Sequence, residues 1–143
     1  PTVPKTVVAR LFHVISPQGG TEPLGRRIIE VPDDAEAFEL RDSRATFTAY
    51  VPPGSLARGE ALVKTGGPGT TLACVACHGA DLKGMGPIPG IAGRSPSYLM
   101  RQLWDLKNGA RAGAGSAAMQ PVVAQLTEDD MMALAAYVAS LPP

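Results

Sequence analysis

At 143 residues the chain has room for one domain plus an extension. Its formal net charge is zero, 13 basic against 13 acidic residues, which argues against the basic footprint of a nucleic-acid binder. The longest apolar run, nine residues from Met131 to Ala139, falls far short of the roughly 18 that a membrane-spanning helix needs.

In chain order, residues 1–54 open with a β-branched stretch, Thr6 to Val14, and a second one, Arg26 to Val31. The turn-rich segment Ser16 to Gly25 lies between them, and the pattern predicts a β-hairpin. An acidic stretch, Pro32 to Glu39, and a short strand over Thr46 to Val51 follow. Pro52-Pro53-Gly54 marks a domain boundary. The first predicted helix runs from Ser55, as its N-cap, to about Thr65. Leu56, Gly59, Leu62 and Val63 form its inward face, and Gly66 and Gly67 stop it. The second runs from Ser95 to Gly109, with Pro96 at the first helical position and Leu99, Leu103 and Leu106 as an apolar stripe. The third runs from the N-cap Thr127 to about Leu141. Three acidic residues, Glu128, Asp129 and Asp130, sit at the positive end of its dipole, and Met131, Leu134, Ala135, Val138 and Leu141 face inward. Sixteen glycines and 14 prolines predict long irregular loops between these elements. No secretory leader is legible from Pro1 onward, so the expectation is a leader already removed or a sequence that begins after it.

The only two cysteines stand in Cys74-Val75-Ala76-Cys77-His78. C-x-x-C-H is the attachment signature of c-type haem. Each thiol adds to one haem vinyl group, two intervening residues bring both sulfurs to neighbouring vinyls, and the histidine is placed beneath the iron. Rival readings are weaker. A thioredoxin-like pair wants a βαβ context, whereas glycine-rich loops flank this motif. Zinc needs four ligands, usually in pairs, and only His13 remains to add. A buried cofactor also suits a chain with only three Phe, three Tyr and one Trp to build a core.

Residues 55–143 resemble the class I cytochromes c, most closely the haem domains of small bacterial mono- and di-haem cytochromes. Gly59-Glu60-Ala61-Leu62 resembles the family's first helix. Cys74 to Gly79 is its haem motif, and Pro89-Gly90-Ile91-Ala92-Gly93 its Pro-x-Leu-x-Gly turn. Tyr98-Leu99 and Gln102-Leu103 sit as in its middle helix, Met119-Gln120-Pro121 as in its methionine loop, and Leu134 to Tyr137 as in its last helix. The resemblance implies a mostly α fold with three main helices around one covalent haem c. Residues 1–54 are then an N-terminal extension.

Candidates for the sixth iron ligand are Met85, Met100, Met119, Met131, Met132 and His13. Met85 follows His78 too closely to reach the opposite haem face. Met100, Met131 and Met132 read as core side chains on helices. Met119 lies in the loop between the second and third helices, which can fold over the far face, and the resemblance points to the same residue. A five-coordinate iron is the alternative. The resemblance also implies the Pro89 carbonyl as partner of the His78 ring, with Pro87 as alternative. Arg94, Tyr98, Gln102 and Trp104 are candidates for the propionates. For Arg94 the competing reading is a solvated loop residue, and for Trp104 core packing. Tyr137 reads as a helix-packing residue, and His13 as a structural or surface histidine.

The extension resembles the connecting region before the second haem domain of some tandem cytochromes, which implies the C-terminal half of a di-haem protein or a relative that lost the first half. A hairpin is marginal alone, so it is expected to pack on the haem domain or a partner. The function predicted is periplasmic electron transfer on one haem c with His/Met ligation, without enzymatic activity. The alternatives are an electron-transfer subunit docked on a dehydrogenase or oxidase, and a five-coordinate haem sensor or enzyme. Redox proteins are the expected partners, with a membrane complex or a second haem domain as further alternatives.

Overall fold

The computed structural model describes residues 1–143, which divide into two compact units, Pro1–Pro53 and Gly54–Pro143.

The first unit holds three antiparallel strand pairs. Strands β1 (Thr2–Pro4) and β4 (Thr21–Pro23) pair, as do β2 (Thr6–Ala9) and β3 (Phe12–Ile15), and β5 (Ile29–Pro32) and β6 (Phe47–Tyr50). The extension does contain a hairpin, β2–β3, but the expected pairing of its two β-branched stretches is corrected. The stretch Thr6 to Val14 folds back on itself through Arg10 and Leu11, with Arg10 at φ 58°, and does not pair with Arg26 to Val31. The second β-branched stretch pairs instead with the short strand near residue 50, with helix α1 (Ala35–Glu39) on the connection between them. Asp34 caps α1 by accepting from the Ala37 amide, which explains the acidic start of that segment. Val3, Leu24, Ile29 and Val31, with Tyr50 against them, form a small core, so the extension has a hydrophobic cluster of its own.

The second unit is helical. Helix α2 (Ser55–Thr65) is followed by the one-turn α3 (Val75–His78) and by α4 (Pro96–Lys107). A 3-10 turn (Ala114–Met119) leads into α5 (Gln120–Val123), and α6 (Glu128–Ala139) closes the unit. Ser95 and Thr127 cap α4 and α6 as expected. Their hydroxyls accept from the amides of Tyr98 and Asp130, and Asp130 completes a capping box at Thr127. Two expectations at α2 fail together. Ser55 is the first helical residue and not the cap; Gly54, in the left-handed region at φ 82°, precedes it. At about 100° per residue, Ser55 then falls nearer the axis of Gly59 and Leu62 than Leu56 does. Accordingly Ser55 is buried and Leu56 is 47% exposed.

Helices α2 and α6 pack directly on each other, and α4 packs on α6. Leu62, Val63, Leu99, Leu106, Met131, Leu134 and Val138 are buried, and each such side chain contributes roughly 1.5–3 kcal/mol. Leu141 lies beyond the end of α6 and is only partly buried. The α2–α6 crossing requires a glycine: a Cβ on Gly59 would lie 2.1 Å from the Ala133 carbonyl oxygen.

Candidate functional site

The C-x-x-C-H segment folds as a single helical turn. Cys74 precedes α3 with helical dihedrals, and its carbonyl accepts from the Cys77 and His78 amides at 3.3 and 2.9 Å. One turn of helix therefore separates the two thiols, and His78 ends it. Cys77 is exposed, Cys74 partly buried, and His78 is 8% exposed. Burial, with the neighbouring Cys77, pushes the Cys74 thiol up to about 11, so the free thiol is neutral at neutral pH.

The segment after His78 curls back on itself through backbone hydrogen bonds. Gly84 donates its amide to the His78 carbonyl at 2.8 Å, and the Leu82 carbonyl accepts from the Ile91 and Ala92 amides at 2.8 and 3.2 Å. Met85 and Ile88 exchange amide–carbonyl bonds across a tight turn. Two glycines permit the close crossing. A Cβ on Gly84, at φ 95°, would lie 2.6 Å from the Ile88 oxygen, and one on Gly90 would lie 2.7 Å from the Lys83 oxygen. The crossing brings the Pro89 carbonyl to 2.8 Å from His78 Nδ1. A carbonyl oxygen only accepts, so Nδ1 carries the proton and Nε2 keeps its lone pair for a metal. The partner of the ring is Pro89 and not Pro87.

The remaining site candidates are scattered over unit 2. Tyr98 and Trp104 are each 45% exposed on α4, so Trp104 is not the core residue of the competing reading. Gln102 accepts from Arg111 at 2.6 Å through its Oε1, and Arg94 is exposed. Met119 is partly buried at the junction of the 3-10 turn and α5, whereas Met85 is 51% exposed and Met131 fully buried. The sequence reading missed what secures that junction. Lys107 donates from Nζ to the Val123 and Ala124 carbonyls at 3.3 and 2.8 Å. Gln120 Nε2 lies 3.3 Å from the Leu106 carbonyl, and the Thr71 hydroxyl donates to the Val122 carbonyl at 2.6 Å. Lysine near a helix C-terminus was the only available signal. His13 is exposed and its Nδ1 lies 3.1 Å from the Thr6 hydroxyl, in unit 1.

The donor set fits a covalently attached haem: two thiols one turn apart, and a histidine with one nitrogen fixed and the other bare. It does not fit a bare metal ion. No group of three or more His, Cys, Asp or Glu side chains converges anywhere in the structure. A depression lined by Val63, Val75, Leu82, Tyr137 and Leu141 contains neither cysteine nor His78 and offers no comparable chemistry.

Residues 56–142 match the family model described as Cytochrome c, and the chain belongs to that family. It is 40% identical over 68 residues to cytochrome c-554(548) of Halomonas halodenitrificans, which covers 47% of this chain and 82% of that protein. It is 29% identical over 136 residues to cytochrome c4 of Azotobacter vinelandii, covering 86% of this chain but 65% of the relative. That match is longer than the second unit alone can supply, so it reaches into residues 1–53. Among solved structures, thiosulfate dehydrogenase from Marichromatium purpuratum superposes with a TM-score of 0.58 at 41% identity, covering 65% of this chain and 21% of that one. The chain is thus an electron-transfer protein of the cytochrome c family carrying covalent haem c. No helix is long and apolar enough to cross a membrane.

Proposed function

We propose that Cys74 and Cys77 would hold the haem through thioethers, and that His78 Nε2 and the Met119 sulfur would ligate its iron. The bound haem supplies a one-electron Fe(II)/Fe(III) couple, and the chain's residues set its terms. The observation that carries the reading is the 2.8 Å contact between His78 Nδ1 and the Pro89 oxygen. It fixes the tautomer, aims the other nitrogen and raises its basicity. A thioether opposite favours reduced iron and raises the reduction potential. With His78 and Met119 both holding the iron, no coordination position would be left for a substrate, and the site would serve electron transfer alone. Arg94, Tyr98, Gln102 and Trp104 are proposed as partners of the propionate edge. The test is an absorption spectrum of the oxidised and reduced holoprotein. Covalent c-type bands that survive acidified organic solvent, a low-spin iron and a weak far-red sulfur-to-iron band are expected. A pigment that washes out, or a high-spin five-coordinate iron, overturns the assignment.

We further propose that the protein works in the periplasm, where c-type haem is attached, and exchanges electrons with a redox partner of the dehydrogenase class. Relatives support the partner class: one is described as a thiosulfate dehydrogenase electron acceptor, another as the cytochrome subunit of sulfide dehydrogenase. The cytochrome c4 match that reaches into the extension supports a place as the C-terminal half of a di-haem protein. Residues 1–53 are then the part that docks. Co-purification with a catalytic subunit, lost on deleting residues 1–53, is the expected result; retention of the complex refutes the docking role.

A further inference from the structure

We infer that Lys107 is a positioning residue for Met119, holding the axial methionine in place from its C-terminal side; this rests on the His/Met ligation proposed above. Met119 ends a 3-10 turn in which only Ser116 is buried, and that turn is secured mainly within itself, through Ser116 Oγ to the Gly113 carbonyl at 2.7 Å. The chain after Met119 is fixed from outside. The Lys107 ammonium reaches from the last turn of α4 to the Val123 and Ala124 carbonyls at the end of α5, at 3.3 and 2.8 Å. There it supplies a donor to the Ala124 carbonyl and a second one to the Val123 carbonyl, which also accepts the Leu126 amide at 3.1 Å. Gln120 Nε2 adds a bond to the Leu106 carbonyl at 3.3 Å, and Thr71 Oγ1 one to the Val122 carbonyl at 2.6 Å. Val123 and Leu126 are each 1% exposed beneath this clamp. The segment 120–124 is therefore tied to α4 and to the loop before the haem motif, and Met119 is the first residue on its free side. Lys107 itself is exposed and belongs to no buried cluster, so its removal loosens the tie without opening the core.

The experiment is displacement of the sixth ligand by imidazole in oxidised holoprotein, followed on the far-red band, for wild type, Lys107→Met, Lys107→Arg and Thr71→Val. Lys107→Met keeps the aliphatic stem and removes the donor. Its imidazole affinity should rise roughly fivefold, the worth of one lost charge-assisted bond at a solvent-facing site. Lys107→Arg should return to within about twofold of wild type, and Thr71→Val should shift the same way as Lys107→Met. Arg58→Met, on the α2–α6 contact, is the control: it should lower the melting temperature and leave imidazole affinity unchanged. Unchanged affinity in Lys107→Met, with the far-red band present in both proteins, refutes the positioning role alone. Absence of that band from the wild type refutes the methionine ligation and the positioning role with it.

Discussion

The guanidinium of Arg58 on α2 reaches the carboxylate of Asp130 on α6, 72 positions later in the chain, with Nη2 2.6 Å and Nε 3.1 Å from Oδ1. Oδ2 of the same carboxylate accepts the Thr127 hydroxyl at 2.6 Å and the Thr127 amide at 2.9 Å. One buried side chain thus caps its own helix and fastens it to another. Burial pushes the Asp130 carboxyl upward, but the Thr127 donors and Arg58 outweigh it and hold the group below its ordinary value of 3.8.

A depressed carboxylate stabilises the fold above pH 3.8, and that stabilisation fades as pH falls through the lower folded value. Acid unfolding of the holoprotein should therefore be steeper in the wild type than in Asp130→Asn. At neutral pH the variant should be less stable by about 1–2 kcal/mol, because the amide cannot replace a carboxylate that accepts on both oxygens. Denaturant melts at pH 7 and pH 3 check this; an equal loss at both pH values contradicts the linkage.

Gly59→Ala should be severely destabilising. Besides the clash with the Ala133 carbonyl, the added methyl would sit 2.6 Å from Tyr137 Cβ, so backbone must move. A loss of about 3 kcal/mol is expected, the upper range for overpacking. Thermal melts of the holoprotein measure it, with Ala61→Gly on the same helix as the propensity control at about 1 kcal/mol.

Gly84→Ala should act on the iron as well as on the fold. Its Cβ would press on the Ile88 oxygen and on the Gly90 amide nitrogen at 2.8 Å, spreading the crossing that carries Pro89. A weaker bond at His78 Nδ1 makes a less basic ligand, which favours reduced iron. The reduction potential should rise by about 20–40 mV, equivalent to part of one hydrogen bond in a one-electron couple. Voltammetry decides it, and an unchanged or lowered potential rejects the account.

Met119→Ala should abolish the far-red band, lower the potential and let the reduced iron bind carbon monoxide. Met85→Ala, at a side chain 51% exposed, should leave all three properties unchanged. A band that survives the first change or vanishes with the second moves the ligand to another residue.

How much of this was legible in the sequence follows from how local each signal is. The haem motif and the caps at Ser95 and Thr127 depend on neighbours within four positions, and the sequence reading located them. The start of α2 was misplaced by one residue because a glycine in the left-handed region can replace a side-chain cap, which rotates Ser55 onto the core face. The strand pairs of the first unit were misread for two physical reasons. Arg10 makes the β2–β3 turn with φ 58° and without the Asn or Gly that announces such turns. The partner of β5 lies beyond an intervening helix, where periodicity carries no pairing information. The clamp around α5 was invisible because its donors, Thr71, Lys107 and Gln120, come from three separate stretches of chain.

The loop that presents Pro89 is held by main-chain atoms: amides of Gly84, Ile91 and Ala92, carbonyls of His78 and Leu82. The side chains of Met85, Pro87 and Pro89 take no part in those bonds and face solvent. Residue identity on that outer rim is consequently free to drift. Repainting Met85 or Pro87 should therefore leave the working voltage where the backbone set it.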